Sequence, residues 1–459
     1  MACGSELVAK HHLHDAGIGS DGQDKKSPGL SARYIRYQMP VQLSYGQTYL
    51  PVEIAGDLLV PREAEPIADE PGAVLDALQH PIGTLPLKEI VHPGERVAIV
   101  VNDITRLTRT DLMLPPIVNT LNAAGIPDRD MFIVFALGIH RLQTDAERKL
   151  IVGEEIYSRI RSFDHVATDD SSLVEIGTTS FGNRVELNRE VWEADRIILT
   201  GEIIYHLIAG YSGGRKSLIP GVGGFRTTTF NHRMIFHPDC RSGKLDGNPS
   251  HEDLLEACRM VDPDFIVNVV LSPDGKLIRV VAGHYDQAHR EGCRTVDRML
   301  RAEIDEPYDV VVASAGGFPL DIDLRQAHKG LENACQALRP GGTMIFYAEC
   351  PNGAGIKSFE DYVRLYRDDR EMQEALNREF VVGGHKAYWV VRLGRLFNVQ
   401  LVSGLDPEFV HRCHYTPVSP DRHQEVCDQA VRAAGPGARV AIVPYSGFTL
   451  PALGAAVAR

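Results

Sequence analysis

No CxxC pair occurs in this 459-residue chain, whose 8 cysteines are scattered singly from Cys3 to Cys427. That spacing excludes a zinc ribbon and gives no disulfide framework. It suits a reducing cytoplasm. Long apolar runs are missing as well: none approaches the length of a membrane span. The first apolar runs are short and interrupted by charge, so no secretory leader is expected. Positive charge is in deficit, with 48 Lys and Arg against 61 Asp and Glu for a net −13. That balance argues against nucleic acid or an anionic membrane as a partner. No internal repeat is present. The class left standing is a cytoplasmic protein that acts on a small molecule.

Two nucleotide-binding signatures are also absent. The segment Gly210-Tyr211-Ser212-Gly213-Gly214-Arg215-Lys216-Ser217 has the look of a phosphate loop. A Walker A loop needs glycine directly before its lysine, and Arg215 stands there. No GxGxxG follows an early strand, which leaves an NAD-dependent 2-hydroxy acid dehydrogenase without its fingerprint.

What is present is an ordinary globular composition, 44% hydrophobic and 24% charged, in a chain long enough for two or three domains. Residues 1–35 are polar and aperiodic and read as a flexible extension. His11, His12 and His14 within it read as solvated residues rather than a metal site. Apolar runs at 96–101, 132–136, 197–200, 265–271, 308–314, 343–347, 399–403 and 439–443 read as buried strands. Helices are expected over 112–124, stopped by Gly125, from Asp145 onward, and over 325–337. Alternating strands and helices predict an α/β protein of two domains, each a mainly parallel sheet flanked by helices. The expected boundaries are 36–300 for a first, cofactor-binding domain, with about 436–459 returning to it, and 301–435 for a second α/β domain. The active site is expected in the interdomain cleft.

Ligands of parallel sheets bind beyond the C-terminal strand ends. Asp103, Arg106, His140, His206 and Lys216 all follow such ends, and that shared address groups them. Histidine titrates near neutral pH, so His140 and His206 are candidate acid/base groups, able to work on opposite faces of one carbon. The wide spacing of His140, His206 and His232 excludes a helical HxxxH zinc site. His237, His251, His284, His289 and His328 read as structural or surface residues. Arg106 suits a carboxylate or phosphate. Asp103 suits a sugar hydroxyl or the orientation of a histidine, and a helix-terminal ion pair explains the two equally well. Ser212, Gly213, Gly214, Arg215 and Lys216 form a candidate cofactor cradle. Gln326 and Lys329, three apart at a helix start, suit an anion.

These stretches together resemble the nickel-pincer-nucleotide-dependent lactate racemase family, from about residue 45 to the end. The likeness is carried by Asp103-x-x-Arg106, Gly138-Ile139-His140-Arg141, Asp169-Asp170-Ser171-Ser172, His206 through Gly221, Asn231-His232, Asn268-Val269-Val270-Leu271 and the run from Gly316 to Gly330. The resemblance implies a racemase or epimerase of a 2-hydroxy acid. Its implied cofactor is nickel held by a pyridinium-3-thioamide-5-thiocarboxylic acid mononucleotide, joined covalently to Lys216, with His232 on the metal. His140 and His206 would be the acid/base pair, and the hydrogen would move as hydride. Arg106, Lys329 and Gln326 would bind the substrate carboxylate, with Asp103 in support. Cofactor-making enzymes are implied as partners. Where the family's lactate enzymes carry tyrosine and tryptophan, this chain has Arg325 and His385. Both changes imply a larger or more polar substrate, such as a dicarboxylate or sugar acid. A non-catalytic nickel or nucleotide carrier is the remaining alternative, and it would not need both His140 and His206.

Overall fold

The computed structural model describes residues 36–37, 40–106 and 108–454. The expected extension over 1–35 lies outside the described residues. The chain forms two units: one is Ala64–Arg298, and the other combines the two ends, up to Glu63 and from Met299. They are called the middle and terminal units below. Both are α/β, with mainly parallel sheets flanked by helices. Among the described residues no helix is long and apolar enough to cross a membrane.

The middle unit is built on a six-stranded sheet in the order Leu277–Gly283, Phe265–Leu271, Arg196–Glu202, Val97–Asn102, Met131–Ala136, Arg161–Asp164. Every neighbouring pair is parallel except the first, which is antiparallel. The central strands are continuous apolar runs because a parallel sheet is covered on both faces. Alternation along Val97–Val101 divides their side chains. Val97, Ile99 and Val101 join a core with Met113, Leu114, Ile117, Val118 and Leu121 of the helix Thr110–Ala123. Ala98 and Val100 join the opposite core with Leu254, Leu255, Ala257 and Cys258 of the helix Pro249–Val261. The first of these helices ends where the sequence predicts, with Gly125 at φ 92° just beyond it.

The terminal unit holds a seven-stranded sheet in the order Arg36–Tyr37, Gly56–Leu58, Val440–Val443, Tyr308–Ser314, Leu338–Tyr347, Asn398–Val402, Thr416–Val418. All its pairs are parallel except the first. The structure corrects the sequence reading here. Residues 36–63 and about 436–459 were expected in the first domain, but the described residues of both stretches fall in the terminal unit. Val440–Val443 is buried at every position and lies between Tyr308–Ser314 and Gly56–Leu58. A strand with no polar face needs a neighbour on each edge and cover on each side. Those two strands supply the edges, and Ile442 shares one core with Val310, Val312 and Ile345.

That central position gives a stability prediction. Ile442→Ala is expected to destabilise the protein by about 2–5 kcal/mol, the cost of truncating a fully buried aliphatic side chain, read as a lowered urea midpoint. A loss below about 0.5 kcal/mol would contradict a central place for this strand.

Candidate functional site

Three strands of the middle unit, Arg196–Glu202, Val97–Asn102 and Met131–Ala136, are adjacent and parallel. Their C-terminal ends therefore share one edge, and the candidate residues leave from it. Two backbone hydrogen bonds stitch the emerging loops together. Gly221 N–H donates to Lys216 O at 3.1 Å, and Gly138 N–H donates to Gly221 O at 2.9 Å. The turn carrying His140 is thus tied to the loop carrying Lys216.

Asp103 follows the Val97–Asn102 strand and is buried. Its Oδ2 accepts from His140 Nδ1 at 2.6 Å. Its Oδ1 accepts from the Thr105 amide at 3.1 Å and the Thr105 hydroxyl at 2.6 Å. Burial pushes this carboxyl up, but the His140 and Thr105 hydrogen bonds and the nearby Arg106 charge outweigh it and hold it below the usual carboxylate range. Of the sequence alternatives for Asp103, orienting a histidine is the one the geometry displays. His140 sits in a turn after Gly138, which has φ 53°, and a Thr144–Glu147 capping box starts the following helix, Asp145–Val152. Arg106 is exposed.

His206 lies in a short hairpin formed by Tyr205–His206 and Gly210–Tyr211. Its Nδ1 accepts from the Ile208 and Ala209 amides, each at 3.2 Å. Its Nε2 lies 3.0 Å from Lys216 Nζ. Lys216 is half-buried in the turn Gly214–Ser217. Burial, then the charges of Arg106 and Arg215, push its amine well below the ordinary lysine value. Glycine is required ahead of it. Gly213 has φ 72°, and a Cβ there would lie 2.7 Å from Ile203 Cγ1.

The loop is not the open cradle that the sequence suggested. Arg215 was grouped with the cofactor-binding residues, but its side chain turns inward and is 1% exposed. It donates to Ala209 O at 2.9 Å and meets His289 Nε2 at 3.1 Å. The Gly214 amide is spent on Asn268 Oδ1 at 2.7 Å. The Ser212 hydroxyl donates to Glu202 O at 2.7 Å and accepts from the Ile204 amide at 2.9 Å. Arg215, Gly214 and Ser212 therefore shape the loop from behind, and Lys216 is the residue it presents.

His232 closes the helix Phe225–His232, and its Nδ1 donates to Thr228 O, one turn back, at 2.8 Å. That bond puts the ring proton on Nδ1 and the lone pair on Nε2, the arrangement of a metal-ligating imidazole.

The remaining candidates belong to the terminal unit. Gln326 and Lys329 lie near the start of the helix Leu324–Cys335, with Lys329 Nζ donating to Gln326 Oε1 at 2.8 Å. Asp323 caps that helix by accepting from the Gln326 amide at 2.7 Å. Arg325 Nη2 reaches Asp323 Oδ2 at 3.8 Å. His385 is buried in the first turn of the helix Gly384–Leu396 and stacks on Phe380, with ring centroids 5.3 Å apart.

Two residues escaped the sequence reading of the site. Glu202 ends its strand half-buried, and burial pushes its carboxyl up to about 7 while Arg106 opposes the shift. Asn268 is fully buried in the otherwise apolar strand Phe265–Leu271 and fixes the Gly214 amide. A lone polar residue inside an apolar run was the available signal for Asn268. For Glu202 the signal was a carboxylate directly at a strand end.

Residues 45–243 match the family model described as lactate racemase N-terminal domain, and residues 304–448 match lactate racemase C-terminal domain. The chain is 32% identical to the lactate racemase of Lactiplantibacillus plantarum over 382 residues, 82% of this chain and 89% of that protein. It is also 32% identical to the lactate racemase of Thermoanaerobacterium thermosaccharolyticum over 311 residues, 67% of this chain and 72% of that protein. The solved lactate racemase apoprotein from T. thermosaccharolyticum is similar in structure, with a TM-score of 0.81 at 27% identity over 90% of this chain and 100% of the other. A protein from Thermotoga maritima shares the fold at a TM-score of 0.62 and 18% identity, over 86% of this chain and all 100% of the other.

Glu202 supplies a pH prediction. Its raised value means that between the ordinary carboxylate range and about 7 the folded chain binds more protons than the unfolded chain. Its contribution to stability is full below that window and is lost as pH rises through it. Glu202→Gln escapes the loss, so its urea midpoint relative to the parent should rise between about pH 5 and about pH 8. An unchanged difference at the two pH values would show that Glu202 titrates normally.

Proposed function

Because this chain belongs to the lactate racemase family, we propose that it is an isomerase that inverts the hydroxyl-bearing carbon of a 2-hydroxy acid, using a nickel-pincer nucleotide joined to Lys216. The observation that carries this reading is the Lys216 amine, set 3.0 Å from His206 Nε2 and held well below its ordinary value. That lowering favours the unprotonated amine, which is the nucleophilic form, over the ammonium of an ordinary lysine. Lys216 therefore suits covalent attachment to a thiocarboxylic acid.

The donor set fits the rest of the group. His232, with its proton directed to Thr228 O, offers Nε2 to a metal. Imidazole combined with sulfur donors suits nickel in a planar site. Among the described residues no three His, Cys, Asp or Glu side chains gather as a metal-binding group. A metal at His232 would need further donors, which the sulfur arms of such a nucleotide would supply. The chemistry such a group supplies when bound is the reversible acceptance of a hydride.

The chain's own residues supply the remainder. Arg106, Gln326 and Lys329 are the proposed carboxylate-binding groups, able to neutralise and orient an anionic substrate. His140 and His206 are the proposed partners of the hydroxyl oxygen, one of them taking its proton as the α-hydrogen departs. Asp103 holds His140 through its Nδ1. Arg325 and His385 are the proposed contacts of a substrate tail larger or more polar than a methyl group. Enzymes that make the cofactor are its proposed partners.

Loading is the first test. Protein co-produced with cofactor-making enzymes should carry a covalent adduct by intact mass and bind nickel, and Lys216→Ala should lose the adduct. A parent protein with neither, under conditions that load a known family member, would overturn the reading. A chiral panel tests the substrate. Malate and aldonates should outperform lactate, and a clear preference for lactate would remove Arg325 and His385 from the specificity argument.

A further inference from the structure

We propose that the middle unit carries a second ligand site: a cavity beside the helix Pro249–Val261 that takes a small oxyanion, a carboxylate or a phosphate group, between Arg259 and the ring of His251. The site is independent of the racemase reading. Its volume is about 270 Å³, just under the usual range for small-molecule sites, which suits a small acid rather than a nucleotide. One side of the helix forms the wall. His251, Leu255 and Arg259 stand in a row, one helical turn apart, and Glu252 and Glu256 make the adjacent row.

Each acid in this wall already accepts from the protein. Glu252 Oε1 accepts from the Gly247 amide at 2.8 Å. Glu256 accepts from the Ser180 amide at 2.7 Å and the Ser180 hydroxyl at 2.6 Å. Asp246 Oδ1 accepts from Arg290 Nη2 at 2.9 Å, and Arg290 Nε donates to Asp286 Oδ1 at 2.9 Å. What the wall leaves unspent are donors. Arg259 is exposed and, among the described residues, its side chain joins no hydrogen bond or ion pair. The His251 ring is 1% exposed, and neither of its nitrogens has a hydrogen-bond partner among the described residues. A buried polar atom left in that state is costly, and a ligand that supplies its partner gains by doing so.

The surrounding charge sets the sign of that ligand. Burial, then the charges of Arg215, His289, Arg290 and Arg259, push His251 far below the ordinary histidine value. The ring is therefore neutral and offers one N–H. Arg215 is buried, its Nε has no acceptor among the described residues, and its contacts are the Ala209 carbonyl and His289 rather than a carboxylate. An anion against His251 would be favoured by three guanidinium groups, and a cation would be opposed by them. The helix also packs against the turn Gly214–Ser217, which places the site next to the anchor of the Lys216 loop.

Isothermal titration calorimetry of the full-length apoprotein with inorganic phosphate, and separately with succinate, tests the proposal without turnover. Succinate has no hydroxyl group and so is not a 2-hydroxy acid. At least one of the two should bind, phosphate alone indicating a phosphate ligand and succinate alone a carboxylate. Arg259→Gln should weaken that binding by about tenfold or more, the loss of one charge-assisted contact. Arg259 is exposed, so this variant should keep the parent's urea midpoint. Arg106→Ala, a change in the proposed substrate site, should leave the binding as it is. The ¹⁵N resonances of the His251 ring should move as the anion is added. Absence of saturable binding by either anion would overturn the proposal. So would binding that Arg259→Gln leaves intact, or binding that Arg106→Ala abolishes. Failure of the protein to load nickel would bear on the racemase reading alone, because the apoprotein is titrated here.

Discussion

Burial of the Lys216 amine against His206 Nε2, within the field of two guanidinium groups, is the constraint on which the rest of the site depends. An ammonium in that place would lose hydration and face Arg106 and Arg215. The position is held from behind by buried polar groups. Arg215 anchors the loop to Ala209 O and His289, Asn268 takes the Gly214 amide, and Ser212 bridges Glu202 O and the Ile204 amide. These hydrogen bonds fix the loop's path from inside the protein.

The sheet sets this loop beside its partners. Parallel pairing of Arg196–Glu202, Val97–Asn102 and Met131–Ala136 brings three chain segments, far apart in sequence, to one edge. Each strand end contributes a different function: a carboxyl raised towards neutrality at Glu202, a carboxylate held low at Asp103, and an imidazole at His140. Arg106 acts electrostatically on Glu202, Asp103 and Lys216 alike. Its charge opposes the rise at Glu202, favours the carboxylate at Asp103 and disfavours the ammonium at Lys216. One exposed guanidinium thus biases three protonation states.

Much of the fold was legible from composition along the chain. Phe265–Leu271 and Tyr308–Ser314 are strands over the residues that their apolar runs mark. The reason is local: such a run has no polar face and must be covered on both sides. Asp103, His140, His206 and Lys216 were likewise legible as a group, because each follows such a run. Arg215 was misread for an equally physical reason. Adjacent residues in a tight turn point in different directions, and sequence does not say which of Arg215 and Lys216 faces inward.

The sequence by itself determined which segments are strands, where the loops fall, and which side chains with the right chemistry stand at strand ends. Those are consequences of short-range patterns, the apolar run, the glycine and the helix cap. Only the tertiary structure decided that Val440–Val443 lies between Tyr308–Ser314 and Gly56–Leu58, because strand pairing joins residues hundreds of positions apart. Only the tertiary structure, too, decided what each histidine ring faces. His140 meets a carboxylate, His206 meets two amides and His232 meets a carbonyl. Three copies of one side chain stand in different surroundings because the group opposite Nδ1 differs, and that group is supplied by the fold.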